Sequence, residues 1–168
     1  MKQNPPKWKD NTNLFSMNES VPLTLVVVTY NSPVYLSLTF KSILAQTVLP
    51  EEIVVADDGS TEPTREVIDR FREEMNQRSG GKTPVVHIWH PDEGFRRSAI
   101  LNKAVAAASG RYIVQVDGDL VLHPYFIADH RRAACPGCYI AGSRVNVGEQ
   151  KARQTADTGD VRLSVFSR

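Results

Sequence analysis

The sequence predicts an α/β fold, a mostly parallel sheet with helices on both faces. Short continuous apolar runs, rich in β-branched residues, read as strands covered on both sides. Longer stretches with apolar residues at helical spacing separate them. Strand and helix alternate in strict order, and that order requires parallel strands joined by crossover helices.

Taken in order, "LTLVVVT" (Leu23–Thr29) is the first strand. In "PVYLSLTFKSILAQ", Pro33 suits a first helical turn, and Leu36, Phe40, Ile43 and Leu44 share a face. "EIVVAD" (Glu52–Asp57) is a second strand, broken at "DDGST". Pro63 opens a helix whose Val67, Ile68, Phe71 and Met75 lie together, and "NQRSGGKTP" is a loop. "VVHIW" (Val85–Trp89) is a third strand and "SAILNKAVAAAS" a third helix, with Gly110 read as its C-terminal cap. "YIVQV" is a fourth strand, "HPYFIADHRRAA" a short helix and "YIAGSRV" a fifth strand. After Val147 the pattern weakens.

The 168 residues suffice for one domain with a real core. A net charge of +1 gives no global reason to expect nucleic acid, so recognition by charge must be local. No apolar run approaches the ~20 residues of a membrane span. The opening "MKQNPPKWKDNTNLFSMNES" lacks the apolar stretch of a signal peptide. It reads as a flexible leader over 1–21, in which Trp8, Leu14 and Phe15 are the only docking candidates, and the protein as cytoplasmic. The cysteines of "ACPGCY", Cys135 and Cys138, have the spacing of a redox couple or half a zinc site. No further donors stand at a workable spacing, so they read as small residues flanking a Pro-Gly turn.

Ligands of open parallel sheets sit beyond the carboxyl ends of the strands. This sequence places Thr29, Tyr30 and Asn31 after strand one, and Asp57, Asp58, Gly59 and Ser60 after strand two. After strand three come Asp92, Glu93, Gly94, Phe95, Arg96 and Arg97, and after strand four Asp117, Gly118 and Asp119. Asp57 and Ser60 also fit an ordinary turn that caps the next helix. Arg96 and Arg97 open a helix, where cations oppose the dipole unless an anion is near, and a bound phosphate would answer that conflict. In a regular strand Asp117 and Asp119 share a face and can meet one cation, with Gly118 permitting a tight bend and close approach of a ligand. Oxygen ligands suit Mg²⁺ or Mn²⁺, and two carboxylates complete such a site with a diphosphate.

Two alternatives fail. A response-regulator receiver needs an Asp ending strand three and a Lys ending strand five, where this chain has Trp89-His90 and Gly142-Ser143-Arg144. A dinucleotide-binding domain needs G-x-G-x-x-G after strand one, where this chain has "YNSPVY".

"LVVVTYNSPVYLSLTFKSILAQTVLPEEIVVADDGSTEPTREVI" and "DEGFRRSAILNKAVAAASGRYIVQVDGD" resemble, in order, the opening of the family-2 glycosyltransferases of the GT-A fold. The "GFR" and "ILN" variants are similar to those of bacterial members that assemble polysaccharides. The resemblance spans about Leu23 to Val147 and implies a Rossmann-like nucleotide-diphospho-sugar transferase. Its donor would be a UDP-sugar, its acceptor a glycan, its cofactor Mn²⁺ or Mg²⁺, and transfer would proceed with inversion. Carried over, it implies that Tyr30 lies against the base and that Asp58 accepts a hydrogen bond from the base ring N–H, with Thr29 and Asn31 beside them. Asp117 would face ribose and sugar, Asp119 would bind the metal with Asp117, and Arg96 or Arg97 would meet the sugar or diphosphate. Residues 22–148 are then a nucleotide-sugar-binding core, and 149–168 the start of an acceptor-side region, as in a truncated chain. The catalytic base is expected beyond Arg168. The alternative expectation is a catalytically incomplete module that holds the nucleotide sugar without turnover, or a truncated product without function. Neither reading involves a transmembrane segment, and both leave room for peripheral membrane or homo-oligomer association.

Overall fold

The computed structural model describes residues 21–161; residues 1–20 of the expected leader, with Trp8, Leu14 and Phe15, and residues 162–168 lie outside the described residues. Strand β1 (Leu23–Thr29) is buried at every position, as a strand with neighbours on both edges and layers on both faces must be. The elements that follow are α1 (Pro33–Leu44), β2 (Glu52–Asp57), α2 (Glu62–Ser79), β3 (Val85–Trp89), α3 (Arg97–Ala107), β4 (Tyr112–Asp117), α4 (Phe126–Ala133) and α5 (Glu149–Thr158). All ladders are parallel and the strand order is β3-β2-β1-β4. The chain builds outward from β1 to β3, then returns to the other side of β1 for β4.

The alternation of side chains along β1 sorts the core. Leu23, Leu25 and Val27 face the layer of α1, α2 and α4, meeting Leu36, Phe40, Ile43, Ile68, Phe71 and Ile127. Phe40 and Phe71 stack at 3.9 Å between ring centroids and hold α1 against α2. Val26 and Val28 face the opposite layer, where Ile100 and Ala104 of α3 cover the sheet. Helices thus lie on both faces, as expected. Gln46, 1% exposed, ties the end of α1 to the start of α4. Its Nε2 donates to the His123 carbonyl (2.8 Å), and its Oε1 accepts from the Ile127 N–H (3.1 Å). A buried amide kept at such a junction meets backbone groups that would otherwise be orphaned.

Two expectations are corrected. Tyr139–Val145 forms no strand: it lies almost wholly exposed, with no ladder partner among the described residues. Gly110 does not cap α3, whose last turn ends at Ala108 in an extended conformation. A Cβ at Gly110 would lie 2.6 Å from the Thr24 amide nitrogen, so close packing against β1 explains that glycine. Cys135 and Cys138 form a disulfide across the Pro136-Gly137 turn, and the Cys138 N–H donates to the Cys135 carbonyl (3.1 Å). Among the described residues no helix is long and apolar enough to cross a membrane.

Candidate functional site

The strand order reverses between β1 and β4, and a crevice opens there, outside the carboxyl ends of the strands. It is a cleft of about 320 Å³ lined by Val28, Thr29, Tyr30, Ser32, Asp58, Phe95, Arg97, Asp117, Gly118 and Asp119. The backbone ladder runs on past β1 and β4, the Asp58 N–H donating to the Thr29 carbonyl (3.0 Å) and the Gly118 N–H to the Val28 carbonyl (2.7 Å). Those bonds bring the ends of β2, β1 and β4 side by side.

Asp57 turns inward beneath the rim. Its Oδ1 accepts the Ser60 N–H (2.8 Å) and its Oδ2 meets His87 Nε2 (2.9 Å). Burial pushes its carboxyl up, but the hydrogen bonds from His87 and Ser60 and the charge of His87 outweigh that, and the net direction is down. A carboxyl lowered in the folded chain stabilises the fold above its unfolded value, 3.8 here, and that contribution is lost as pH falls through the lowered folded value. Denaturation midpoints followed from neutrality into the acid range should therefore drop as Asp57 protonates. The drop should be shallower in Asp57→Asn; equal acid sensitivity of both chains would refute the assignment.

Asp58, 4% exposed, is held at both oxygens. Oδ1 meets His90 Nε2 at 2.6 Å, and Oδ2 accepts the Arg96 N–H at 3.0 Å. Tyr30, half exposed on the cleft wall, donates its hydroxyl to Asp92 Oδ2 (2.9 Å), which fixes the ring plane. Thr29 is 5% exposed, and its Oγ1 has no partner among the described residues although Thr29 lines the cleft. A buried hydroxyl without a partner is costly unless a ligand or water meets it.

The acidic pair does not continue a regular strand. β4 ends at Asp117, and Gly118-Asp119 form a turn, so both carboxylates reach the cleft through that bend. A Cβ on Gly118 would come within 2.9 Å of the Val28 carbonyl oxygen and 3.1 Å of Leu36 Cδ1. Packing against the protein is therefore enough to require this glycine. Asp117 Oδ1 accepts a hydrogen bond from Arg97 Nη2. Asp119 is exposed and makes no hydrogen bond or ion pair with a described residue.

Among the described residues no three His, Cys, Asp or Glu side chains gather into a metal cage. The donor set that remains is Asp119 and the second oxygen of Asp117, both hard oxygen donors. Such a pair fits a Mg²⁺- or Mn²⁺-like ion that takes its other ligands from water and phosphate.

Of the residues singled out in the sequence, Thr29, Tyr30, Asp58, Arg97, Asp117 and Asp119 line the one cleft. Asn31 and Arg96 do not. Asn31 adopts φ 42°, and its Oδ1 accepts from the Thr61 N–H (2.8 Å), stapling the β1–α1 turn to the β2–α2 turn. The Arg96 guanidinium pairs with Glu93. The two cations at the start of α3 are thus met by carboxylates of this chain, where the sequence suggested a phosphate. Sequence reasoning set Phe95, 89% exposed on the cleft wall, on the rim without giving it a role, and missed His90 behind Asp58. The "GFR" triplet was a signal for the first. The second had none short of the β2–β3 register.

An open parallel sheet with a polar cleft at its strand-order reversal is the arrangement of the doubly wound class, whose ligands sit at that point. Residues 24–162 match the model of glycosyl transferase family 2, and the chain belongs to that family. It is 28% identical over 122 residues to the hyaluronan synthase of Pasteurella multocida, covering 72% of this chain and 12% of that one. It is similar to the crystal structure of S. aureus TarS 1–349 in complex with UDP, at a TM-score of 0.50 and 25% identity, over 64% of this chain and 30% of that one. The fold is shared with the mannosyltransferase PcManGT from Pyrobaculum calidifontis in complex with GDP-Man and Mn²⁺, at a TM-score of 0.55 and 24% identity, over 70% and 34%. The chain thus spans 12% to 34% of the length of these three proteins.

Proposed function

We propose that this chain carries the donor site of a metal-assisted, inverting glycosyltransferase that moves a sugar from a UDP-sugar to a glycan acceptor. The observation that carries the reading is the gathering of Tyr30, Asp58, Asp117 and Asp119 in one cleft at the switch point. The relatives named above include a polysaccharide synthase and structures holding UDP, or GDP-Man with Mn²⁺.

In this reading the Tyr30 ring stacks on the base and Asp58 accepts the base N–H. Thr29 Oγ1 donates to the nucleoside, Asp117 faces ribose and sugar, and Arg97 reaches the diphosphate. Asn31 and Arg96 hold the turns on which these groups stand. The wall offers three carboxylates, Asp58, Asp117 and Asp119, against one guanidinium, that of Arg97. A diphosphate entering that field is repelled unless a cation accompanies it. Asp119 and Asp117 would hold that ion, as Mn²⁺ or Mg²⁺. The chemistry it supplies when bound is Lewis-acid stabilisation of the charge that develops on the departing diphosphate.

Residues 22–148 are on this reading the donor-binding core, and 149–168 lead toward the acceptor side. On this reading the reaction takes place in the cytoplasm. UDP with Mn²⁺ should raise the melting temperature of the chain. At ligand about a hundredfold above Kd the stabilisation is about 2.7 kcal/mol, several degrees for a chain of this size. No shift with millimolar ligand in a folded sample would overturn the reading. Donor hydrolysis and transfer to a panel of sugar acceptors then separate turnover from binding alone.

A further inference from the structure

Asp58 reaches the cleft from the end of β2, and the groups that fix it stand behind it. His90 is 6% exposed, does not line the cleft, and sits one residue past β3. The β2–β3 ladder pairs Asp57 with Trp89, so the register carried one step further sets His90 beside Asp58. His90 Nε2 lies 2.6 Å from Asp58 Oδ1, and its other ring nitrogen, Nδ1, lies 3.5 Å from Lys103 Nζ on α3. A lysine ammonium only donates, so it faces a ring nitrogen bearing a lone pair. The ring proton then sits on Nε2 and points at Asp58. With the Arg96 N–H on Oδ2 (3.0 Å), both oxygens of the carboxylate accept from behind, and the carboxylate plane is fixed.

We infer that His90 is a positioning residue for base selection. It holds Asp58 as a pure acceptor aimed into the cleft, so the site takes nucleoside diphosphates whose base presents a ring N–H and disfavours those that do not. Uracil carries such a proton at N3. Cytosine has a bare lone pair there, which would face the carboxylate. A carboxylate already accepting on both oxygens keeps lone pairs for a further N–H but has no proton to offer that bare nitrogen, and an unmatched polar contact in a confined site costs more than a matched one returns. The inference rests on the proposed role of Asp58 toward the base, and Lys103 acts only by setting the tautomer of His90.

The test is calorimetric titration of UDP and CDP at fixed Mn²⁺ into the unaltered chain, His90→Phe and His90→Gln. The unaltered chain should prefer UDP by at least about tenfold. In His90→Phe the affinity for UDP should fall about tenfold while that for CDP stays level, so the preference collapses. His90→Gln, which keeps an N–H donor, should recover most of it. A folded His90→Phe that keeps the full preference overturns the role of His90 and leaves the donor site standing. Equal affinity of the unaltered chain for UDP and CDP overturns the reading of Asp58, and this inference with it. Nitrogen NMR of the histidine rings in the unaltered chain gives a second readout that does not depend on the variant folding. The proton should be found on Nε2 of His90, with a resonance that moves on adding UDP but not CDP. A proton on Nδ1 would refute the arrangement.

Discussion

Asp119→Asn is expected to abolish the Mn²⁺-dependent part of UDP binding and leave the fold intact. The side chain is exposed and has no hydrogen bond or ion pair with a described residue, so the isosteric change removes a charge and little else. With Mn²⁺ present, UDP should bind at least about a hundredfold more weakly, a difference of about 2.8 kcal/mol. With the metal chelated, the variant should bind UDP no worse than the unaltered chain, because one of three cleft carboxylates has become neutral. That reversal between metal and chelator is the diagnostic result. Titration under both conditions checks it, and a Mn²⁺ dependence equal to that of the unaltered chain would remove Asp119 from the metal site. Asp117→Asn is a less clean comparison, because it also releases Arg97.

Gly59→Ala is expected to lower stability by about 3 kcal/mol and to weaken UDP binding together with it. Gly59 has φ 94°, a conformation side-chain-bearing residues rarely hold. A Cβ there would stand 2.6 Å from Asp92 Cα and 2.7 Å from its nitrogen, and backbone atoms cannot step aside as a side-chain tip can. The displaced residue is the one that accepts the Tyr30 hydroxyl, so the strain should also unseat the aromatic wall of the cleft. Urea denaturation and UDP titration measure the two effects. A stability loss below about 0.5 kcal/mol, the size of an ordinary surface change, would contradict the packing described here.

Much of this was written in the chain in readable form. Runs such as "LTLVVVT" and "EIVVAD" are apolar on both faces, and only a strand between two helical layers needs that. The alternation with helices then forces parallel pairing, and parallel pairing sends every strand's carboxyl end to one rim. The rim could therefore be listed from position, and Asp117 and Asp119 picked from it by residue type, whereas Tyr30 and Asp58 were singled out by the resemblance to the family-2 glycosyltransferases. What could not be read was anything that depends on register or on a partner. "YIAGSRV" has the composition of a strand, but composition supplies no neighbour, and the segment lies in the open. His90 gains its meaning from a thirty-two-residue offset between β2 and β3 that no local pattern encodes. The glycine of the acidic pair was legible, but its reason was not, since the Val28 carbonyl and Leu36 crowd it from another part of the chain.

The central place of β1 has a consequence for how such a protein changes its preferences. One neighbour, β2, carries Asp58, and behind it β3 brings His90; the other neighbour, β4, carries Asp117 and Asp119. On the proposed reading, letter recognition and charge handling are mounted on opposite flanks of a common spine. Retooling the molecule for a different nucleobase would then centre on 58 and 90, since the Arg96 contact is a backbone N–H that no side-chain edit removes, with Asp117 and Asp119 carried over unaltered.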